Sequence, residues 1–388
     1  MDDVLIIGAG PVGNYAALKL SELGHRVTVL EQQSAIAGDV CCSGIVGKEC
    51  LAMCSMPEHL ILREARGSTF YGPSGAPLRL EKATTEAYVI AREGFQRWLA
   101  EEAQRKGARY ITDCRVQNIE IRKNEVNLDT TRGTMESAAV VVASGIGSRL
   151  SSRLGLGVIG DFTVGVQAEV SSHVDEVEVF FGRKIAPGFF AWLVPTTPGS
   201  ALAGLFCRRD PNAHLTRFLE KLCADGKIGQ PVGRSTRKLV PLSPLSRTYL
   251  PRVLVVGEAA GQVKPTTGGG IYYGLLGAQI ATEVLHSSLE TGDFSSRRMA
   301  VYQKRWQKKL GQEIQMGQFA RTILQRIGDR QLDYVFGQIR SNGIHETLLN
   351  SPDFSFDWHG KLIMKGLKYE ALNRPWRLVK APFTGGHR

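Results

Sequence analysis

Gly8, Gly10 and Gly13, in the run Gly8-Ala9-Gly10-Pro11-Val12-Gly13, have the spacing of a loop that can hold a pyrophosphate. The first glycine makes a tight turn, the second lets a pyrophosphate approach the backbone, and the third lets a helix pack closely on a strand. The N-terminus of the following helix then faces the phosphates. Glu31 stands at the end of the next apolar run, where a carboxylate can accept hydrogen bonds from ribose hydroxyls. Together these residues predict a dinucleotide site, and this pattern alone does not separate FAD from NAD.

A second glycine-rich element makes the distinction. Gly257-Glu258-Ala259-Ala260-Gly261 is followed by Lys264-Pro265-Thr266-Thr267-Gly268-Gly269-Gly270-Ile271. An acid at a strand end, Glu258, can bind the ribityl hydroxyls of a flavin. Three glycines opening an apolar helix bare its amides and aim its dipole at an electron-rich ring edge. Reduced flavin carries negative charge at such an edge, so the element predicts FAD.

Cys41 and Cys42 are adjacent thiols that could do a third kind of chemistry, although a free Cys often serves as a small buried hydrophobe. A free thiol with a pKa of about 8.5 is mostly protonated at neutral pH and can act as a general acid. The chain has seven cysteines, an odd and scattered set, and Cys41, Cys42, Cys50 and Cys54 contain no C-x-x-C pair. That argues against a zinc or iron–sulfur centre and for free thiols in a reducing compartment.

These residues need elements to hold them. Val4 to Ile7 predicts a buried strand, the glycine loop opens a helix ending near Gly24, and Arg26 to Leu30 predicts the next strand, a β-turn-α-β unit. A helix over 95–105 and strands over 110–111, 116–121, 126–128 and 138–143 follow. From 163 to 207 the chain turns β-rich, with alternating runs broken by Gly and Pro, which predicts a mostly antiparallel sheet. The strand 253–256, the second glycine element and a long apolar helix from Ile271 return to the first domain. The reading is α/β, α+β overall. A Rossmann-type FAD-binding domain (1–160 and 245–293) carries an inserted antiparallel-sheet substrate domain (161–244). A basic helical region (294–388) closes the chain.

Of the formal net charge of +11, nearly all lies from Arg297 onward, where Lys and Arg outnumber Asp and Glu by 17 to 7. Lys304, Arg305, Lys308 and Lys309 cluster around Trp306, as in a basic interfacial helix. With no nucleic-acid motif present, this favours a peripheral membrane contact or a phosphate-bearing substrate over nucleic acid. The first residues run straight into a strand without an export signal, and no apolar run of about 18 residues occurs. The expected location is cytoplasmic, at most on the inner membrane face.

The glycine loop with Glu31, Cys42-Ser43-Gly44-Ile45-Val46, Val89-Ile90-Ala91-Arg92-Glu93-Gly94-Phe95 and Lys264 through Gly274 resemble the geranylgeranyl reductases, from residue 4 to about 290. The resemblance implies an FAD enzyme that saturates C=C bonds of isoprenoid chains. It puts Arg92 and the Val116 backbone on FAD, along with Gly8, Gly10, Val12, Gly13, Glu31, Cys42, Ser43, Gly44, Gly257, Glu258, Gly269, Gly270 and Ile271. It places Cys42, with Cys41 as the alternative, beside the flavin as proton donor. Phe190-Ala191-Trp192-Leu193-Val194-Pro195 is similar to a family substrate motif, so Phe190, Trp192 and Pro195, with Tyr272, are expected on a prenyl lipid. Two departures stand out: Glu258 where the family usually has Asp, and Ala143-Ser144-Gly145 where related flavoproteins carry an acid. The second leaves the electron donor open between NAD(P)H and ferredoxin. Flavin halogenases have a motif similar to the Trp192 segment, so a flavin monooxygenase or halogenase, or a non-catalytic flavin-bearing lipid-binding protein, stays an alternative.

Overall fold

Val4-Leu5-Ile6-Ile7 is apolar at every position, and such a strand is stable only with both faces covered. In the computed structural model, which describes residues 2–38, 41–341, 349, 355–361 and 363, this run lies in the strand Asp2–Ile7 and is buried throughout. Val4 and Ile6 enter one core while Leu5 and Ile7 enter another on the opposite face. The sheet runs in the order Tyr249–Leu250, Val253–Val255, Gly133–Val142, Asp2–Ile7, Val27–Leu30, Arg109–Ile111. Its inner pairings are parallel, and Val126–Thr130 and Val116–Ile121 add an antiparallel flap to Gly133–Val142.

Eight helices are described: α1 (Pro11–Glu22), α2 (Lys48–Cys54), α3 (Arg92–Arg105), α4 (Leu150–Arg153), α5 (Pro211–Ala224), α6 (Ile271–Thr291), α7 (Ser296–Arg326) and α8 (Asp329–Ser341). Helix α1 packs on both α3 and α6. The expected return of the chain to the first sheet after residue 250 is therefore what builds one wall of its core.

The second sheet has seven strands, in the order Ile228–Pro241, Phe162–Ser172, Ser200–Cys207, Phe190–Pro195, Val177–Phe181, Gly67–Tyr71, Pro77–Glu81. All its pairings are antiparallel except Val177–Phe181 with Gly67–Tyr71. Its last two strands come from outside 161–244, so the insertion does not complete its own sheet. What draws them in is aromatic. Tyr71 stacks on Phe180 with ring centroids 4.7 Å apart, and the Tyr71 hydroxyl lies 3.2 Å from Glu178 Oε1. Helix α5 covers the far face through Leu215, Phe218 and Leu222, all buried. A small three-stranded sheet has the order Ile45–Gly47, Ala87–Ile90, Ile61–Ala65, and the two borrowed strands fall within its span of sequence.

Helix α7 corrects one expectation. Met299, Tyr302, Trp306, Leu310 and Ile314 recur at helical spacing and are all buried, so Trp306 belongs to the core and is no interfacial anchor. Its indole N–H donates to Thr248 Oγ1 at 2.9 Å, which satisfies the one polar atom that burial would otherwise strand. Lys304, Arg305, Lys308 and Lys309 lie on the outward face and are exposed. The expected helical character of 294–388 is met through Ser341; most of the remainder lies outside the described residues.

Candidate functional site

The first glycine loop has the geometry its spacing predicts. Gly8 has φ +105°, and a Cβ there would stand 2.7 Å from the Ala143 carbonyl oxygen. A Cβ on Gly13 would run into the Gly8 carbonyl oxygen, whereas around Gly10 nothing lies within 4 Å. The loop is thus closed where helix meets strand and open where a phosphate would approach. Glu31 Oε2 accepts from the Ala9 N–H at 2.8 Å and Oε1 from the Gln33 N–H at 2.9 Å. The Cys114 N–H donates to the Glu31 carbonyl at 2.8 Å, which brings buried Val116 to the same side of the sheet.

Arg92, the first residue of α3, is tied to this loop through a residue that sequence reasoning missed. Its Nη1 donates to Gln96 Oε1 at 3.3 Å, and Gln96 Nε2 donates to the Ala9 carbonyl at 2.8 Å. Asn14 Nδ2 holds the Gln96 carbonyl at 2.9 Å. Gln96 stands four residues after Arg92, one helical turn, and that spacing was the available signal. Among the described atoms, Arg92 Nε and Ser144 Oγ are buried without a partner. Such donors are costly unless something satisfies them.

The second glycine element faces the first. Val12 fits where a Cβ on Gly257 would be 3.1 Å from its methyls, so α1 and the strand end at Gly257 interlock. Glu258 is ion-paired with Lys238 of the second sheet at 2.7 Å. Gly270 begins α6 with no side-chain cap, next to Ile271, and Gly268 turns with φ +70°. An open Gly10, a carboxylate at the end of each strand, bare amides at α6 and orphaned polar atoms at Arg92 and Ser144 fit FAD.

The loop holding Gly268 to Gly270 is itself held. Lys264 Nζ is buried and donates to Asp357 Oδ1 at 3.0 Å and to the Phe356 carbonyl at 3.2 Å. Thr266 Oγ1 is 2.8 Å from His359 Nδ1, and the Tyr273 hydroxyl donates to the Asp357 carbonyl at 3.2 Å. Tyr272 packs edge-on against Trp358 with centroids 5.8 Å apart. It therefore lies with this strap of residues 355–359 and apart from the other residues expected on the substrate.

Those others lie on the second sheet, where strand alternation sorts them. Register aligns Trp192 with Gly204, Gly204 with Gln167 and Gln167 with Thr236, and it aligns Phe206 with Gly165 and Gly165 with Lys238. This face looks towards Cys41, Cys42 and the Gly268 turn. Phe190 and Trp192 belong to it; Pro195 is in the opposite phase, with Ala191 and Leu193. Cys41 Sγ is 3.6 Å from the carbonyl oxygens of both Gly165 and Thr236. Burial pushes the Cys41 thiol up to about 11, so it stays protonated at neutral pH. Cys42 Sγ accepts from the Gly44 N–H at 3.5 Å. Gly44 has φ +73° and crosses so near the Ile90 carbonyl oxygen that a Cβ would be 2.5 Å away. A cavity of about 490 Å³ opens here, lined by Cys42, Ser43, Arg92, Gln167, Leu202 and Thr236 among others. The thiol, the arginine and the sheet face thus share one space. Gln167, Thr236 and Phe206 were missed because only register brings them there.

Comparison with known proteins agrees with this geometry. Residues 82–222 match the FAD dependent oxidoreductase family and residues 6–44 the NAD(P)-binding Rossmann-like domain. The chain is 31% identical to digeranylgeranylglycerophospholipid reductase 2 of Methanothermobacter thermautotrophicus, over 85% of this chain and 90% of that protein. It is 30% identical to the digeranylgeranylglycerophospholipid reductase of Methanothrix thermoacetophila, over 88% and 92%. Its fold is similar to a geranylgeranyl bacteriochlorophyll reductase-like protein of Thermoplasma acidophilum, with TM-score 0.84, 23% identity and 97% of each chain covered. A flavin-dependent halogenase gives TM-score 0.69 at 19% identity, over 97% of this chain and 78% of that one.

Proposed function

Because the chain belongs to the digeranylgeranylglycerophospholipid reductase family of FAD-dependent oxidoreductases, we propose that it saturates C=C bonds in geranylgeranyl chains carried on a glycerophospholipid. The observation that supports this most is a sheet face of glycines and aromatic rings, with Gln167 and Thr236 beside them, set opposite the Gly268 turn and with two thiols at its edge. An isolated trisubstituted alkene accepts hydride poorly, so one carbon must receive a proton as the other receives hydride. Reduced FAD supplies the hydride when bound. The chain's own share is to keep the alkene dry on the sheet face and to deliver a proton. In this reading Cys42, which lines the cavity, is the donor, with Cys41 second. Arg92, Glu31 and Glu258 hold the cofactor, and Phe190 and Trp192 pack on the isoprene units. The Rossmann part (1–160 and 245–293) would hold FAD, and the second sheet, with its two borrowed strands, the lipid.

Protein reduced without oxygen is expected to be reoxidised by a digeranylgeranyl lipid, giving a product two hydrogens heavier for each bond saturated. Running the assay with NAD(P)H and with ferredoxin identifies the donor. A product carrying oxygen or halogen instead would move the chain to the monooxygenase or halogenase reading.

Exposed Lys304, Arg305 and Lys308 on α7 support a peripheral contact with an anionic bilayer, where such a substrate resides. Among the described residues, no helix is long and apolar enough to cross a membrane. Each basic residue near the surface contributes roughly 1 kcal/mol. Co-sedimentation with anionic vesicles should therefore be strong at low salt and fall steeply as salt rises. Absence of binding at low salt would leave the charge as a solubility feature.

A further inference from the structure

Phe206 stands where the parts of the site meet. It is half-buried in the strand Ser200–Cys207, opposite Gly165. Its ring packs on Trp192 with centroids 4.9 Å apart and edge-on to Phe190 at 5.4 Å. A Cβ on Gly268 would stand 2.6 Å from Phe206 Cζ, and one on Gly165 would be 3.1 Å from Phe206 Cε1. The Gly165 carbonyl is also the one that Cys41 Sγ approaches at 3.6 Å. A single ring therefore touches the flavin-side glycine turn, the strand residue that seats a thiol and the tryptophan of the substrate face.

Three glycines from separate segments make room for these rings: Gly165, Gly268 and Gly204, where a Cβ would come 2.5 Å from Trp192 Cζ2. Aliphatic side chains on ordinary residues would fill the same space without that accommodation. Aromatic rings add a negatively polarised face that aliphatic groups lack. Glu258, the carboxylate beside the glycine turn, is paired with Lys238.

Resting on the alkene-reduction reading, we propose that Phe206 is a catalytic residue whose ring stabilises positive charge on the substrate carbon between proton and hydride addition. The electron pair of the C=C π bond forms a C–H bond to the proton of the thiol, leaving the neighbouring carbon electron-poor. Hydride carried by reduced FAD, which is thereby oxidised, completes the second C–H bond, and the thiolate regains a proton from water. One π bond is lost, two C–H bonds form, and no reactant beyond the donor-reduced cofactor is needed. A ring face within about 6 Å of the developing cation attracts it, whereas a carboxylate there could trap it covalently.

The test replaces Phe206 site-specifically with mono-, di- and trifluorophenylalanine, which drain the ring face stepwise at nearly constant size. Two probes are titrated calorimetrically into FAD-loaded protein without an electron donor. One is a prenyl chain with a protonated tertiary amine in place of an alkene carbon; the other is its neutral hydrocarbon isostere. Unmodified protein is expected to prefer the ammonium probe by about 2- to 30-fold. That preference should shrink with each fluorine while the isostere's affinity holds, and turnover should fall in the same order. A preference unmoved by fluorination, or equal weakening of both probes, would reduce Phe206 to packing and overturn the proposal, with alkene reduction intact. Failure of the unmodified protein to bind either probe would remove the isoprenoid reading itself, and this inference with it.

Discussion

Cys42→Ser is expected to bind FAD normally and to accept electrons from the donor, yet to lose alkene-dependent reoxidation by about 10²- to 10⁴-fold. A hydroxyl is a far weaker acid than a thiol, while neither cofactor binding nor electron entry needs the sulfur. The Cys42 sulfur accepts from the Gly44 N–H, a bond that a serine hydroxyl can also accept, so serine should fit without rebuilding the loop. Cys41→Ser should be milder, because the Cys41 sulfur is engaged by the carbonyls of Gly165 and Thr236. The measurement is single-turnover reoxidation under anaerobic conditions, with flavin content and the rate of reduction recorded for each variant. A larger loss in Cys41→Ser would exchange the two roles. Wild-type rates in both would exclude the thiols and leave water as the acid.

Asp357→Ala is expected to cost about 3–5 kcal/mol of stability, since it strands the buried Lys264 ammonium without its partner. Replacing both, Lys264→Met with Asp357→Leu, should recover much of that loss, because an apolar pair needs no compensation. Space is tight here: a Cβ on Gly47 would run into the Asp357 carboxylate. Urea unfolding of the three proteins gives the values, and a loss below about 1 kcal/mol for the single variant would show that the strap holds nothing. The same strap predicts acid sensitivity. With its Nε2 assigned as donor to the Phe356 carbonyl at 2.8 Å, His359 accepts from Thr266 on Nδ1 and is neutral. Burial, with Lys264 adding to it, lowers its pKa to about 4. The unfolded chain takes up this proton near pH 6.5, the folded chain only near 4. Stability is thus intact above about pH 6.5 and falls as the pH drops towards 4. His359→Gln should flatten that part of the melting-temperature profile; an unchanged slope would assign the acid loss elsewhere.

Local pattern carried the parts of the fold that depend on neighbours in sequence. Gly8, Gly10, Gly13 and Glu31 lie within one β-turn-α-β unit, so spacing alone set their geometry. Alternation likewise marked the strands of the second sheet from Phe162 to Cys207. Contacts made by register were not legible. Phe206 meets Gly268 across more than sixty residues, and nothing near either residue advertises the other. The strap was hidden in the same way, because Asp357 reads as an ordinary surface acid until Lys264 is placed beside it. Trp306 was misread because basic neighbours drew attention from the apolar stripe that includes it.

The borrowed strands at 67–71 and 77–81 have a consequence for how the chain is made. The first of them pairs with Val177–Phe181, which follows about a hundred residues later. At ribosomal speeds of roughly 5–20 residues per second, the hairpin waits on the order of 5–20 s with its pairing edge unoccupied. Closing so long a loop also makes this junction a slow, non-local step. The nascent chain therefore passes through an interval in which an open strand edge is its most adhesive feature, and that interval ends only when Tyr71 can stack on Phe180.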